Sequence, residues 1–313
     1  MSYTVKIKEE ISNTKNTKSE IIAELSGYIR NNGNIDNNKI VLTTENVFLI
    51  KRLKEEFKQL FDIEIEEKII SNTNFSKKSL YQITIEEKYN NICETIGILD
   101  EKGSYLKTVP EYIVGANEEI RAYLKGVFFS SGSINDPKTS RYHMELLISE
   151  PEEAVFIQKL LNIFDLNAKI LSREKGYMIY IKEAEKISDF IKILGANNAV
   201  MYYENVRIYR DQKNKTNRLN NCEQANMDKV FETANEQLKQ ISIIEENDGV
   251  VLLDDKTKET LEYRKKYPEA SLKELAEIIS IETGKKITKS GLNHRMRKIK
   301  ELATNFEKRK TNL

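Results

Sequence analysis

The chain has 313 residues, of which 39% are hydrophobic and 32% are charged, and its net charge is +1. No apolar run approaches the roughly 20 residues that cross a bilayer, and the first residues are polar, so we predict a cytoplasmic protein of two or three domains without a membrane span or signal peptide. Cys93 and Cys222 lie far apart without a Cys-x-x-Cys motif, which argues against a disulfide framework or a zinc knuckle.

The charge is unevenly distributed along the chain. Residues 1–205 carry a net charge of −4, residues 206–229 carry +3, residues 230–255 carry −6 and residues 256–313 carry +8. A basic C-terminal end on a chain that is otherwise close to neutral or acidic is typical of a module that binds a polyanion.

The first two hundred residues contain one frame twice. LSGYIRNNGNIDN begins at Leu25 and LKGVFFSSGSINDP begins at Leu124; each has a glycine two positions after the leucine, a second glycine at plus eight and an isoleucine at plus ten. A strand-like run, an amphipathic helix, a short strand and another helix follow each frame. This pattern predicts one pseudo-symmetric α+β domain with halves at residues 1–105 and 106–205.

The four glycines of the two frames have predicted structural roles. Gly27 and Gly126 lie inside the repeated helices, where a missing Cβ lets two helix backbones pack closely at the centre of the domain. Gly33 and Gly132 stand where these helices end, and we expect both to have positive φ.

The C-terminal residues predict an all-α helix-turn-helix domain, residues 229–313. Ser271 with Glu274 at capping-box spacing starts the first helix, and either Thr288 or Ser290 starts the second. The intervening connection, residues 280–287, is longer than the three or four residues of the compact motif. The second helix is the one expected in the major groove of double-stranded DNA.

The second helix carries the predicted DNA contacts on the side away from its apolar face. That face, which we expect to point inward, comprises Leu292, Met296, Ile299, Leu302 and Ala303. Lysines would position the protein on phosphates, whereas arginine and asparagine would contact base edges. Within residues 283–313 there are ten basic residues and two acidic ones. The predicted DNA-binding residues are Lys289, Ser290, Asn293, His294, Arg295, Arg297, Lys298 and Lys300. Because the chain has two isolated histidines, we predict no metal site or hydrolytic triad. We also expect no cofactor and no small-molecule substrate.

Residues 206–228 are predicted to form a basic, Asn-rich linker between the two domains, followed by a helix from about Asp228. An ordinary solvated linker is as good an explanation of its charge as DNA binding. If the segment does bind DNA, its phosphate contacts would be Arg207, Arg210, Lys215 and Arg218.

The repeated frame resembles the LAGLIDADG homing-endonuclease fold. In that family the residue before each second glycine is an acid, and the two acids hold a divalent metal ion that activates water. Here these positions hold Asn32 and Ser131, neither of which supplies a carboxylate. The resemblance therefore implies the fold without cleavage. The alternative is an active endonuclease with relocated metal ligands, for which Asp36 and Asp136 are the candidates.

Two further motifs extend the resemblance over nearly the whole chain. With NRLNNCEQAN at residues 217–226 and KSGLNHRMRKI at residues 289–299, the sequence is similar to the WhiA family. That resemblance implies a sigma-factor-like helix-turn-helix and a nucleoid-associated regulator of transcription, sporulation, cell division or chromosome segregation. Because the net charge of −4 over residues 1–205 opposes broad neutralisation of phosphates, we expect the endonuclease-like domain to serve docking to a transcription or cell-division protein, or auxiliary DNA contact. A scaffold that does not bind DNA is the remaining alternative.

Overall fold

The chain folds into two units, described here from a computed structural model. Unit 1 comprises residues 1–211 and unit 2 comprises residues 212–313. The structure describes residues 1–36, 38–70, 79–139 and 141–311. Within these ranges, no helix combines the length and the apolar character needed to span a bilayer.

Unit 1 repeats one order of elements. Helix α1 (Tyr3–Ser12) precedes the repeats. The first repeat consists of α2 (Lys18–Asn32), β1 (Asn34–Asp36), β2 (Lys39–Thr44), α3 (Val47–Phe61), β3 (Glu67–Ile70), β4 (Leu80–Ile85) and α4 (Tyr89–Thr95). After a 3₁₀ turn at Glu111–Ile113, the second repeat consists of α5 (Asn117–Ser131), β5 (Gly132–Ile134), β6 (Met144–Ile148), α6 (Pro151–Ile163), β7 (Lys169–Arg173), β8 (Gly176–Ile181) and α7 (Ala184–Ile193).

The two sheets have the same topology. Their strand orders are β1-β2-β4-β3 and β5-β6-β8-β7, and all neighbouring strands are antiparallel. The register pairs Leu42 with Ile83 in the first sheet and Leu146 with Ile179 in the second, and all four side chains are buried. Alternate residues of the central strands β2, β4, β6 and β8 therefore form one apolar face in each sheet. The predicted repeated α+β architecture is confirmed.

Helices α2 and α5 pack against each other through their glycines. A Cβ added to Gly27 would lie 2.3 Å from the carbonyl oxygen of Tyr123, and one added to Gly126 would lie 2.0 Å from the carbonyl oxygen of Glu24. No real Cβ tolerates such distances from backbone atoms, so only glycine permits this approach. The close packing predicted for these two glycines is confirmed.

The prediction of positive φ at Gly33 and Gly132 is wrong. Their φ angles are −74° and −80° with ψ of 132° and 141°, because at both glycines the backbone passes from the helix directly into an extended strand. Glycine is required there for space: an added Cβ would lie 2.6 Å from the carbonyl oxygen of Ile29 and 2.1 Å from the ring of Phe128, respectively.

A buried ion cluster joins α2, α3 and α5. The Arg52 guanidinium donates through Nη2 to Glu24 Oε2 at 2.8 Å, and through Nη1 to the carbonyl oxygens of Ser12 and Thr14 at 2.9 and 2.7 Å. Lys125 donates to Thr14 Oγ1 at 2.9 Å and lies 3.6 Å from Glu24. These polar contacts tie the start of the chain to the two central helices.

Glu56 lies in the same cluster and predicts a pH dependence. Burial, and then the neighbouring Glu24 carboxylate, raise its pKa well above the ordinary value of 4.5. The folded state therefore retains a proton that the unfolded chain has released, so stability falls as pH rises from about 4.5 through the folded pKa. We expect Glu56→Gln to remove this loss and to raise the free energy of unfolding at pH 8 relative to the wild type.

The test is urea denaturation at pH 5 and pH 8, followed by tyrosine fluorescence. Thirteen of the fifteen tyrosines lie in unit 1, so the signal reports mainly on that unit. Glu55→Gln is the matched control, because Glu55 is the adjacent residue and its side chain is 68% exposed. If stability depended on pH identically in Glu56→Gln and the wild type, Glu56 would not be the source of the pH dependence.

Helix α8 (Asn197–Glu246) is continuous over fifty residues. The helix predicted to begin near Asp228 therefore begins at Asn197, and residues 206–228 are helical rather than an irregular linker. The sequence does not predict a helix over residues 206–228, because this segment has no apolar stripe and contains many asparagines, which have low helix propensity. Local side-chain bonds support it, as between Gln224 Nε2 and Asp228 Oδ1 at 2.8 Å.

Unit 2 builds its core from the end of α8 and three further helices. These are α9 (Asp255–Lys266), α10 (Leu272–Thr283) and α11 (Lys289–Thr311), with a 3₁₀ turn at Gly249–Leu252. The buried apolar face of α11 comprises Leu292, Met296, Ile299 and Ala303. The inward face predicted for this helix is confirmed.

Candidate nucleic-acid interface

The first helix of the motif begins with a complete capping box. Ser271 Oγ accepts the Glu274 N–H at 3.2 Å, and Glu274 Oε2 accepts the Ser271 N–H at 2.7 Å. These reciprocal bonds satisfy two amides that the first turn of α10 would otherwise leave open. The N-cap predicted at Ser271 is confirmed.

The connection between α10 and α11 is shorter than predicted. Helix α10 continues to Thr283 and ends at Gly284, whose φ of +69° is the left-handed conformation that glycine adopts without strain. Five residues, 284–288, then lead to α11. The predicted bounds of the connection, residues 280–287, are wrong, because polar residues in the last turn of α10 hid the helix end. Its five residues still exceed the three or four of the compact motif.

Hydroxyl groups hold this connection in place. Ser280 Oγ, on α10, accepts the N–H of Ile287 at 2.9 Å and ties the end of the connection back to the helix. Thr288 Oγ1 accepts the Gly291 N–H at 3.1 Å, so Thr288 rather than Ser290 starts the second helix. The entry of α11 is therefore held by hydrogen bonds as well as by its apolar face.

Arg295, one of the predicted DNA contacts, lies against α9. Its Nη1 donates to the carbonyl oxygen of Lys256 at 3.1 Å and to Thr260 Oγ1 at 3.2 Å, and lies 3.5 Å from Glu259 Oε2. Only 18% of its side chain is exposed. In this structure Arg295 therefore holds α11 to α9.

Lys298 and Lys300 form exposed ion pairs. Lys298 Nζ lies 2.9 Å from Asp254 Oδ2, and Lys300 Nζ lies 3.2 Å from Glu236 Oε1. The hydrogen bond from Lys298, together with the Thr257 amide, holds the pKa of Asp254 well below its usual range. Both lysines remain solvent-accessible, and exposed pairs of this kind are weak, so a phosphate can compete for them.

The other five predicted residues lie on the solvent side of α11 and define its outer face. They have no hydrogen bond or ion pair with any residue that the structure describes, and all five are exposed. This outer face consists of Lys289, Ser290, Asn293, His294 and Arg297. It presents two cations, an amide, an imidazole and a hydroxyl, without an acid.

A small cavity beside the start of α10 adds two lysines, Lys229 and Lys273, to the residues predicted from the sequence. It measures about 230 Å³, and its lining includes Lys229, Lys273 and Lys289. Lys273 follows the Ser271 cap by two residues, which is the signal that could have identified it. Three ammonium groups around one opening create a local positive potential next to the outer face.

The positions of the catalytic acids in the LAGLIDADG fold do not fit a metal ion. Asn32 Oδ1 accepts the Thr43 N–H at 3.2 Å, and Ser131 Oγ donates to the carbonyl oxygen of Val127 at 3.3 Å. Both side chains are neutral and bonded to their own chain, whereas Mg²⁺ needs anionic oxygens. Across the described residues, no group of three or more His, Cys, Asp or Glu side chains could hold a metal.

The two downstream acids occupy different places in the repeats. Asp36 is the last residue of β1 and lies opposite Lys39 in the register of β1 and β2, whereas Asp136 lies beyond β5. Asp136 Oδ1 accepts the Lys138 N–H at 2.9 Å and the Tyr202 hydroxyl at 3.1 Å. Asp136 therefore stabilises its own turn, and the two carboxylates are not symmetric partners.

The four basic residues predicted as phosphate contacts on α8 divide into two pairs. Arg207 is hydrogen-bonded to a glutamate one turn earlier, and Arg210 Nη1 donates to the carbonyl oxygen of Pro137 at 2.6 Å. Both therefore serve unit 1. Lys215 and Arg218 are exposed and have no bonded partner in the described part of the chain.

The fold and the site define a two-part class of protein: a LAGLIDADG-like repeat without acids at its central helix ends, followed by a helix-turn-helix with a basic outer face. Three family models match the chain: the WhiA N-terminal LAGLIDADG-like domain at residues 18–99, the WhiA LAGLIDADG-like domain at residues 120–213 and the WhiA C-terminal HTH domain at residues 216–303. The chain belongs to the WhiA family.

Individual relatives agree with this assignment. A protein of Bacillus cereus strain G9842 called "Probable cell division protein WhiA" is 38% identical over 307 residues, which cover 97% of this chain and 96% of the relative. The full-length DUF199/WhiA structure from Thermatoga maritima has the same fold, with a TM-score of 0.57 and 23% identity over 98% of this chain and 99% of that one. The N-terminal LAGLIDADG domain of DUF199/WhiA matches with a TM-score of 0.50 and 25% identity, covering 61% of this chain and 89% of that one.

Proposed function

We propose that this protein is a non-catalytic DNA-binding regulator that acts in cell division or chromosome segregation, and that the outer face of α11 contacts the major groove. The observation that carries the proposal is the outer face of α11, which contains no acid and makes no hydrogen bond or ion pair with the described residues. The opposite side of the helix is packed in the core of unit 2. The name of the Bacillus cereus relative supports the process.

The chemistry of the outer face suits both kinds of DNA contact. Arg297 and Asn293 have the donor and acceptor geometry for guanine and adenine edges, respectively. Lys289 and the lysines around the neighbouring cavity would neutralise phosphates. The net charge of +8 over residues 256–313 provides the attraction, and DNA binding would bring the protein to the nucleoid.

Unit 1 is proposed to serve docking or auxiliary contact rather than cleavage. Residues 1–205 carry a net charge of −4, which opposes broad neutralisation of phosphates. Asn32 and Ser131 provide no carboxylate for a metal ion, so hydrolysis of the phosphodiester has no metal-bound nucleophile at this position. A protein involved in transcription or cell division is the proposed partner of this unit.

A gel-shift titration with supercoiled plasmid in the presence of Mg²⁺ tests the function. We expect a shift that weakens steeply with salt, since each neutralised phosphate releases counterions, and no nicked product. Nicking would establish the endonuclease alternative. The absence of any shift at low salt would establish a scaffold that does not bind DNA.

Arg297→Ala tests the outer face. We expect it to cost about 1–3 kcal/mol of binding free energy at one base-pair position and to relax specificity there. The measurement is competition binding with duplexes selected by the wild type from a random-sequence pool. Arg173→Ala is the control, because it removes the same charge from an exposed position of β7. Equal losses in the two variants would contradict a specific contact.

A further inference from the structure

The middle of α8 is a helical segment without a buried residue. Every residue from 212 to 229 is exposed, and these residues all belong to unit 2. Asparagine is a poor helix former, and this stretch contains five asparagines without a buried side chain to compensate. The NRLNNCEQAN motif at residues 217–226 lies in this segment, and the DNA contacts proposed for the outer face of α11 do not involve it.

One side of this segment carries amides and cations. With about 3.6 residues per turn, positions spaced by three, four, seven and eight residues share a helix face. We name the central five positions the amide face; it consists of Lys213, Asn214, Asn217, Arg218 and Asn221. Asn220 borders it, and one turn further along the same side Gln224 is bonded to Asp228. None of the five has a side-chain hydrogen bond or ion pair with any residue that the structure describes, and none is acidic.

The opposite side has a different composition. It carries Lys215, Leu219, Cys222 and Asn226. Asn226 Nδ2 lies 3.9 Å from Cys222 Sγ, so even the asparagine on this side has a local contact. The unbonded asparagines of this segment therefore gather on and beside the amide face, whereas the opposite side carries one unbonded side-chain amide among the described residues, that of Gln212.

We propose that the amide face of α8 enters the major groove of duplex DNA and contacts base edges there, as a second DNA-contacting surface beside α11. This inference rests on the proposed function and adds a second contact to it. Asn217 and Asn221 would pair with adenine edges, Arg218 with a guanine edge and Lys213 with a phosphate, according to the donor and acceptor patterns of these side chains.

Two observations favour DNA over a protein partner. A protein interface is anchored by aromatic or aliphatic side chains at its centre, and the amide face has none, since Leu219 lies on the other side. Residues 212–229 hold four basic and two acidic side chains, and this net charge of +2 is complementary to a polyanion. Exposure around the whole circumference also leaves room for the two walls of a groove, which approach a bound helix from both sides.

Lys213 and Lys215 provide a matched test, because they carry the same charge on opposite faces of the segment. The probe is a set of 40-base-pair duplexes that full-length wild-type protein selects from a random-sequence pool. We expect Lys213→Ala to lower the slope of log affinity against log salt by about 1. Lys215 is a phosphate contact expected from the sequence, but it lies on the opposite face, so this inference excludes it and we expect Lys215→Ala to leave the slope unchanged. Equal effects of the two substitutions would overturn the proposal.

The asparagines test the contact with bases. We expect Asn217→Ala combined with Asn221→Ala to lower affinity for the selected duplexes at least about tenfold, with little change for unselected random duplexes. Asn226→Ala is the control and should bind as the wild type does. Alanine favours the helix, so these variants should retain their helical circular dichroism.

The outcomes separate this inference from the proposed function. Unchanged affinity in the double asparagine variant, together with weakened binding by Arg297→Ala, would overturn the amide-face contact and leave the helix-turn-helix function standing. A wild-type protein that selects no duplex from the pool would overturn both.

Discussion

Replacing Gly126 by alanine is expected to destabilise unit 1 by about 3 kcal/mol or more. The new Cβ would lie 2.0 Å from the carbonyl oxygen of Glu24 and 2.8 Å from the amide nitrogen of Tyr28. Both are backbone atoms inside α2, so no side-chain rotation relieves the overlap. The two central helices would have to separate, and the apolar faces that rest on them would lose contact.

Hydrogen–deuterium exchange on the full chain is the appropriate measurement, because it reports α2 and α5 separately from unit 2. We expect protection to fall in α2 and α5 and to remain in α10 and α11. Gly115→Ala is the matched control, since its added Cβ would have no neighbour closer than 3.6 Å. Wild-type protection of α2 in Gly126→Ala would contradict the proposed packing.

The repeated domain was predictable because its signals are local and occur twice. Leucine and glycine spacing within one helix, strand alternation and amphipathic periodicity each depend on neighbouring residues. The error at Gly33 and Gly132 has the opposite origin. The conformation of a residue at the end of a helix depends on the next element of the chain. Here that element is a strand that begins at once, and a glycine alone does not reveal it.

The helix-turn-helix was predictable for the same reason, whereas the tertiary contacts of its basic side chains were not. The Ser271 cap and the apolar positions of α11 follow from sequence spacing. The bond from Arg295 to α9 and the pairing of Lys298 with Asp254 depend on tertiary neighbours about forty residues away in sequence. Basic residues on one helix therefore look equivalent in the sequence and differ in the structure.

The ion cluster in unit 1 lay beyond sequence inspection altogether. Glu24, Arg52 and Lys125 are charged residues within amphipathic helices, and such residues usually lie on the solvent side. Here each is less than 10% exposed. Their burial follows from the packing of three helices, and the carbonyl groups of the α1–α2 connection complete their hydrogen bonds.

Loss of Arg52 is accordingly expected to have the second large effect. Arg52→Met would leave the buried Glu24 carboxylate without its guanidinium, and the carbonyl oxygens of Ser12 and Thr14 without their donor. Removing one partner of a buried ion pair costs about 3–5 kcal/mol. Because Lys125 still lies 3.6 Å from Glu24, we expect a loss near the lower end of that range.

The measurement is urea denaturation at pH 7 followed by tyrosine fluorescence, with Lys51→Met as the control. Lys51 precedes Arg52 on α3, and its side chain is 80% exposed, so its loss should change stability by less than about 1 kcal/mol. Adding Glu24→Gln to Arg52→Met should recover part of the loss, because the uncompensated charge is then removed. If the double variant were less stable than Arg52→Met alone, the carboxylate would contribute through its hydrogen bonds rather than its charge, and the cluster would act mainly as a hydrogen-bond network.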